Sequence, residues 1–398
     1  MPAASKLKSR LEALIRRIPI PAIRDVVSKQ PSTGRNLDAL DGIRGLAVLL
    51  VIAAHTDGFR MKGHGAVGVW LFFALSAFLL TLPYAADAGR IANLRELRRY
   101  FARRVRRILP AYYFAIVVMA LLTDASSRFL WQHFSFQRAA GIFWTIPQEL
   151  LFYLLLPPLV ALHPFVFQRR FAATIAGLAA IALCANIWLT GDVIALHGNG
   201  KRLAFHLGIF VTGMAFAYAS QAPTLARAVA RPWLNRTLDV TGLLILLFLV
   251  FSAPYYFERA VAALPVLGLL GDHLGLRSKN AFGVLSGALI YVVYVCERGW
   301  TRRILASVPL RALGVVSFSL YLFHVMVESR LGFRMLGLEH GNELFAVTLG
   351  VTYLVACCIY SLHLFAHRAP VHADASTSGL DVTERFELLA FLGARVSE

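Results

Sequence analysis

The chain has 398 residues, 58% of them hydrophobic and 16% charged, with a mean hydropathy of +0.63. This balance excludes a water-soluble globule and supplies several runs of the roughly 17 to 25 apolar residues that a membrane-spanning helix needs. The formal net charge of +18 comes from Arg and Lys gathered between apolar runs, with no zinc-finger, RRM or helix-turn-helix signature, so it reports membrane topology and no nucleic-acid partner.

Residues 1–36 carry Lys6, Lys8, Arg10, Arg16, Arg17, Arg24 and Lys29 scattered among apolar positions, which excludes the apolar core of a secretory signal. Leu7, Leu11, Leu14, Ile15 and Ile18 recur at helical spacing. They predict a basic amphipathic helix lying on an anionic cytoplasmic leaflet and ended by Pro19 and Pro21; a solvated tail is the alternative.

Ten apolar segments follow, at 42–57, 65–82, 108–123, 140–162, 171–190, 203–220, 238–252, 281–297, 312–330 and 343–366. They predict an all-α, polytopic membrane helix bundle of about ten transmembrane helices over residues 37–367. Arg clusters at 90–107, at Arg169 and Arg170, at 227–236 and at 298–311 fall on alternate connections. The positive-inside rule then puts both termini in the cytoplasm. The run at 260–271 is too short to span and contains Pro265, so it reads as a re-entrant or interfacial element. Residues 368–398 read as a polar cytoplasmic tail, with a surface helix near Phe386, Leu389 and Phe391.

The first segment, LDGIRGLAVLLVIAAH, places Arg44 and His55 eleven residues apart. At about 100° and 1.5 Å per residue they share one face and lie about 16 Å apart along the axis. Ionisable groups cost about 2.5 kcal/mol or more at the centre of a spanning helix, so such a stripe points to a functional cavity. Asp41 stands one turn before Arg44 and can pair with it. Glu149 with Tyr153 in the fourth segment and His324 in SLYLFH are further polar residues within apolar surroundings. Each also has a plainer reading, as a structural ion pair, an interfacial tyrosine or a helix-end histidine. Ser76 and Asn186 read as interhelical hydrogen-bonding residues, and Cys184, Cys296, Cys357 and Cys358 as small buried apolar side chains with no metal-site spacing.

Five blocks, LDGIRGLAVLLVIAAH, GVWLFFALSAFLLT, FARRVRRILPAYY, TIPQELLFYLLLPPL and SFSLYLFH, stand in this order between about residues 37 and 325. Together they resemble the acyltransferase family three proteins, bacterial membrane O-acyltransferases that modify surface glycans and secreted natural products. The resemblance implies a bacterial cytoplasmic-membrane enzyme that moves an acyl group, most simply acetyl, from cytoplasmic acyl-CoA to a hydroxyl of a saccharide or glycolipid acceptor on the other side. It transfers the family's functional residues onto Arg44, His55, Arg104, Arg107, Glu149 and Tyr153. Trp70, Ala77 and His367 depart from the family's usual residues.

Acyl transfer to a hydroxyl needs a base, and His is the usual one; His55 takes that role, with Glu149 orienting it as the acid does in a triad. The guanidinium fork suits phosphate, so Arg104 and Arg107, with Arg44, are the expected coenzyme A ligands, although Arg104 and Arg107 also fit a topology signal. Asp41, Tyr153, His324 and Trp70 complete the expected substrate contacts, and no metal is expected. No Gly-rich phosphate loop, HExxH or GxSxG motif is present. A proton-coupled secondary transporter using Arg44, His55 and Glu149 is the other class, but the paired interrupted helices of such proteins are not seen in the sequence.

Overall fold

The computed structural model describes residues 37–188, 203–259 and 278–367, except positions 124, 138, 140, 256 and 258, together with Ile23. The helix expected within 1–36, the element at 260–271 and the tail at 368–398 lie outside the described residues, save for Ile23. Among those described there are helices and no β-strand. In order they are α1 (Leu37–Thr56), α2 (Gly65–Ala86), α3 (Leu94–Thr123), α4 (Ser127–Phe134), α5 (Thr145–Phe165), α6 (Phe171–Trp188) and α7 (Leu203–Gln221). There follow α8 (Pro223–Val229), α9 (Pro232–Phe251), α10 (Ser278–Val295), α11 (Trp300–Leu305), α12 (Val308–Val315), α13 (Ser317–Val327), a π-helical stretch Glu328–Met335 and α14 (Asn342–His367).

Each of the ten apolar segments falls on a helix. Among the described residues, α1, α2, α3, α5 with the turn before it, α9 and α14 are long and apolar enough to cross a bilayer; the pair α12 and α13, bent by 79°, makes a seventh if it is one span. Helices α6 and α10 offer shorter apolar stretches, Phe171–Cys184 and Lys279–Val295. The difference from ten lies in α6, α7 and α10, whose neighbouring segments at 189–202 and 260–277 are outside the described residues.

Helix α3 begins fourteen residues earlier than the apolar run at 108–123, because the Arg-rich stretch is itself amphipathic. Tyr100, Ile108, Tyr112 and Ile116 form its buried stripe, and the Asn93 side chain accepts from the backbone N–H of Arg95 at 3.0 Å and of Glu96 at 3.3 Å. That is an N-cap. Thirty helical residues extend about 45 Å, beyond the roughly 30 Å of hydrocarbon, so one end of α3 projects past the apolar layer.

The outward faces are apolar. Val240, Leu244, Leu247 and Phe251 on α9, and Phe114, Val117 and Leu121 on α3, are exposed at helical spacing, the arrangement that lipid requires. All four cysteines are free, with Cys296 and Cys357 buried as expected and Cys184 and Cys358 exposed.

Helix α1 packs against α2, α10, α11, α12, α13 and α14 and so forms the axis of the bundle. Gly65 of α2 faces Ala54 and Gly68 faces Ala47, which makes α1 and α2 antiparallel. The Tyr100 hydroxyl meets the Tyr153 carbonyl while the Tyr112 ring meets that of Phe143, so α3 and α5 are antiparallel too. Helices α12 and α13 together follow α1 in the same sense, since Gly314 of α12 lies at Asp41 and His324 of α13 at His55. The end at which α1 begins is called proximal below, and the other distal.

Candidate active site

The proximal half of α1 is fixed by backbone contact. A Cβ on Gly42 would lie 1.6 Å from the Leu305 carbonyl oxygen, and one on Gly314 would lie 1.8 Å from that of Asp41. Only hydrogen fits at these positions, so α1 touches α11 and α12 main chain to main chain, as small residues permit in membrane bundles. Arg44 is about 200° round the helix from Gly42 and therefore points away from this seam.

Arg44 points into a cavity lined from five helices. Helix α2 contributes Phe72, Ser76 and Leu79; α3 contributes Arg104, Arg107 and Ile108; α5 contributes Thr145, Glu149 and Tyr153; and α13 contributes Ser317, Phe318 and Tyr321. Three guanidinium groups thus meet one lining carboxylate. Arg44 Nη1 donates to Asp41 Oδ1 at 2.6 Å, the pairing expected from the spacing. Glu149 Oε1 accepts from Ser76 Oγ at 2.9 Å and from the Tyr153 hydroxyl. The Arg104 guanidinium lies 5.9 Å from the centre of the Tyr100 ring, and its buried Nε has no hydrogen-bond partner among the described residues. Arg107 is exposed at the rim. A cationic cluster that includes a buried unpaired donor suits an anion, because such a donor gains most from a charged acceptor.

His55 does not line this cavity. It lies at the distal end of α1, exposed, and its ring packs edge-on against that of His324 with centroids 4.8 Å apart. His55 Nδ1 donates to the Val51 carbonyl at 2.8 Å, and His324 Nδ1 to that of Tyr321 at 2.8 Å. A carbonyl only accepts, so both protons are assigned to Nδ1 and each Nε2 is left as the basic nitrogen. His324 is fully buried, and its Nε2 has no hydrogen-bond partner among the described residues. Tyr321, which lines the cavity, has its ring 5.8 Å from that of His324. One continuous face of α13 therefore leads from the cavity to the histidine pair.

Two expectations change. Glu149 bonds Ser76 and Tyr153, and the ring that meets His55 is that of His324, so the triad-like pairing of Glu149 with His55 is replaced by two separate polar centres. Trp70 lies on the face of α2 turned from the cavity and packs on Phe282 of α10 with ring centres 5.8 Å apart, which makes it a core residue. Sequence reasoning missed Tyr100, Phe72 and Tyr321. Tyr100 sits four residues before Arg104 and Tyr321 three before His324, a spacing that put each on the face of a residue already singled out. Ser76 forms the interhelical hydrogen bond expected of it; the Asn186 side chain is outside the described residues.

The family model described as "Acyltransferase domain" matches residues 37–363. Among similar proteins, the peptidoglycan O-acetyltransferase OatA of Listeria monocytogenes is 25% identical over 327 residues, 72% of this chain and 48% of that one. The O-acetyltransferase OatA of Staphylococcus aureus is 24% identical over 327 residues, 73% of this chain and 50% of that one. The chain thus spans about half the length of these two relatives. BcsY of Komagataeibacter xylinus is 26% identical over 396 residues, covering 89% of this chain and 90% of BcsY. No solved structure matches.

Proposed function

The chain belongs to acyltransferase family three, a family of membrane O-acyltransferases, and on that premise we propose that it moves an acetyl or other short acyl group from cytoplasmic acyl-CoA to a hydroxyl of a glycan or glycolipid presented from the opposite side of a bacterial membrane. The observation that carries this is the convergence of Arg44, Arg104, Arg107 and Glu149 on one cavity. The two relatives named as O-acetyltransferases, one of them for peptidoglycan, support a glycan acceptor.

In this reading the Arg-rich start of α3 and the other Arg-rich connections face the cytoplasm, as do both termini, with ten spans in all. Arg104 and Arg107 hold the phosphates of coenzyme A, Arg107 from the rim and Arg104 through its unpaired Nε. Arg44, tethered by Asp41, meets the donor deeper in the cavity. Glu149 fixes Tyr153 and Ser76 and so shapes the channel through which the thioester travels. His55 Nε2 takes the proton from the acceptor hydroxyl as its oxygen attacks the thioester carbonyl. The carbon–sulfur bond then breaks, the ester remains on the acceptor, and the coenzyme A thiolate leaves and is protonated. His324 holds the His55 ring from below and contacts the incoming acyl end.

Calorimetry on the purified protein in detergent tests the donor. Saturable binding of acetyl-CoA that weakens in Arg104→Ala, and that weakens in the wild type when the 3′-phosphate is removed from the ligand, is the expected result. Folded protein that binds no acyl-CoA would overturn the donor assignment.

A further inference from the structure

We propose that Phe72 and Tyr321 form an aromatic constriction at the distal end of the cavity, through which the acyl group faces the two histidines, and that this constriction sets the length of acyl chain the protein accepts. The proposal rests on the acyl-CoA reading of the same cavity.

The position of Phe72 follows from the burial pattern of α2. Between Gly68 and Thr81 only Phe72, Ser76 and Leu79 escape full burial, and they share one helical face. Phe72 therefore looks into the same space as Ser76, whose hydroxyl is bonded to Glu149. Its ring meets that of Tyr321 edge to face, with centroids 6.3 Å apart and planes at 73°. Tyr321 is anchored, because its hydroxyl donates to the Ile142 carbonyl at 2.8 Å. On the other side of Tyr321 stands His324, which touches His55. The aromatic pair thus separates the charged compartment from the two histidines.

Arg104, Tyr153 and Leu80 line the proximal part of the cavity, and Val69, Phe73, Thr145 and Ile146 the distal part around the pair. A thioester entering from the arginines meets Phe72 and Tyr321 with its acyl end leading. A two-carbon acyl group is the smallest to pass between the rings, and each further methylene needs a ring to move. Phe72 is the ring able to do so, since no polar group anchors it. Its neighbour Phe73 is stacked on Phe210 at 4.5 Å and packed against His206 and Trp144.

The test compares coenzyme A, acetyl-CoA, butanoyl-CoA and hexanoyl-CoA on the full chain, as wild type, Phe72→Ala, Phe72→Leu and Phe72→Trp. Pocket discrimination runs at about tenfold or more per methylene. The wild type should prefer acetyl-CoA, Phe72→Ala should shift the hexanoyl-to-acetyl affinity ratio at least about tenfold toward hexanoyl, and Phe72→Trp should weaken acetyl-CoA while leaving coenzyme A itself bound. Phe72→Leu reads the same shift, smaller, if the alanine variant does not fold. An unchanged ratio in folded variants that still bind coenzyme A overturns the constriction alone. A folded wild type that binds no coenzyme A thioester overturns the donor reading and the constriction with it.

Discussion

At the Arg44 end of α1 the polar groups are tethered to one another: Arg44 to Asp41, Glu149 to Ser76 and Tyr153, and Arg104 over the Tyr100 ring. At the His55 end each imidazole is hydrogen-bonded to its own helix backbone and packs on the other ring, and among the described residues the buried His324 Nε2 has no hydrogen-bond partner. The first arrangement suits holding an anion in a fixed place. The second suits taking and giving a proton. In the proposed function one helix thus carries a binding end and a reactive end, with two aromatic rings between them.

The sharpest way to break this division is His55→Ala. Acyl transfer should fall by about 10²- to 10⁴-fold, the usual worth of a general base, while acetyl-CoA affinity measured by calorimetry stays within about twofold. A matching loss of affinity would merge the two ends into one site. Next comes Arg104→Ala, which removes a charge-assisted hydrogen bond worth about 1.5 to 3 kcal/mol and should weaken donor binding about 10- to 100-fold. Turnover at saturating donor should change little, and a turnover defect that persists at saturation would count against a binding role. Gly314→Ala perturbs the frame that both ends share, since its Cβ would lie 1.8 Å from the Asp41 carbonyl oxygen. An overpacking cost of about 1 to 3 kcal/mol should appear as a lower Tm. Trp70→Phe should have the smallest effect: a modest loss of stability and unchanged donor affinity. Altered donor preference would mean that Trp70 reaches the cavity after all.

Much of this was legible in the chain. Apolar runs located a helix for every segment, and local spacing gave the Asp41–Arg44 pair and the shared face of Glu149 and Tyr153, because these depend only on helical geometry. The start of α3 was obscured by its arginines, whose long stems pack while their charges mark the end of an apolar run. Which residue meets Glu149, which ring meets His55 and which way Trp70 turns are contacts between helices far apart in sequence. Periodicity within one helix carries no information about them.

The glycine seam has a mechanical consequence. With Gly42 and Gly45 pressed on the carbonyls of Leu305 and Leu310, and Gly314 on that of Asp41, α1 can neither slide nor roll without prising apart three backbone contacts. The helix is a fixed post, and the eleven-residue interval from Arg44 to His55 is a constant length throughout turnover. In the proposed function, what travels between the two ends is therefore the donor's own arm and the rings on the facing wall, so the stroke of the machine belongs to its cargo and the post serves as the rail.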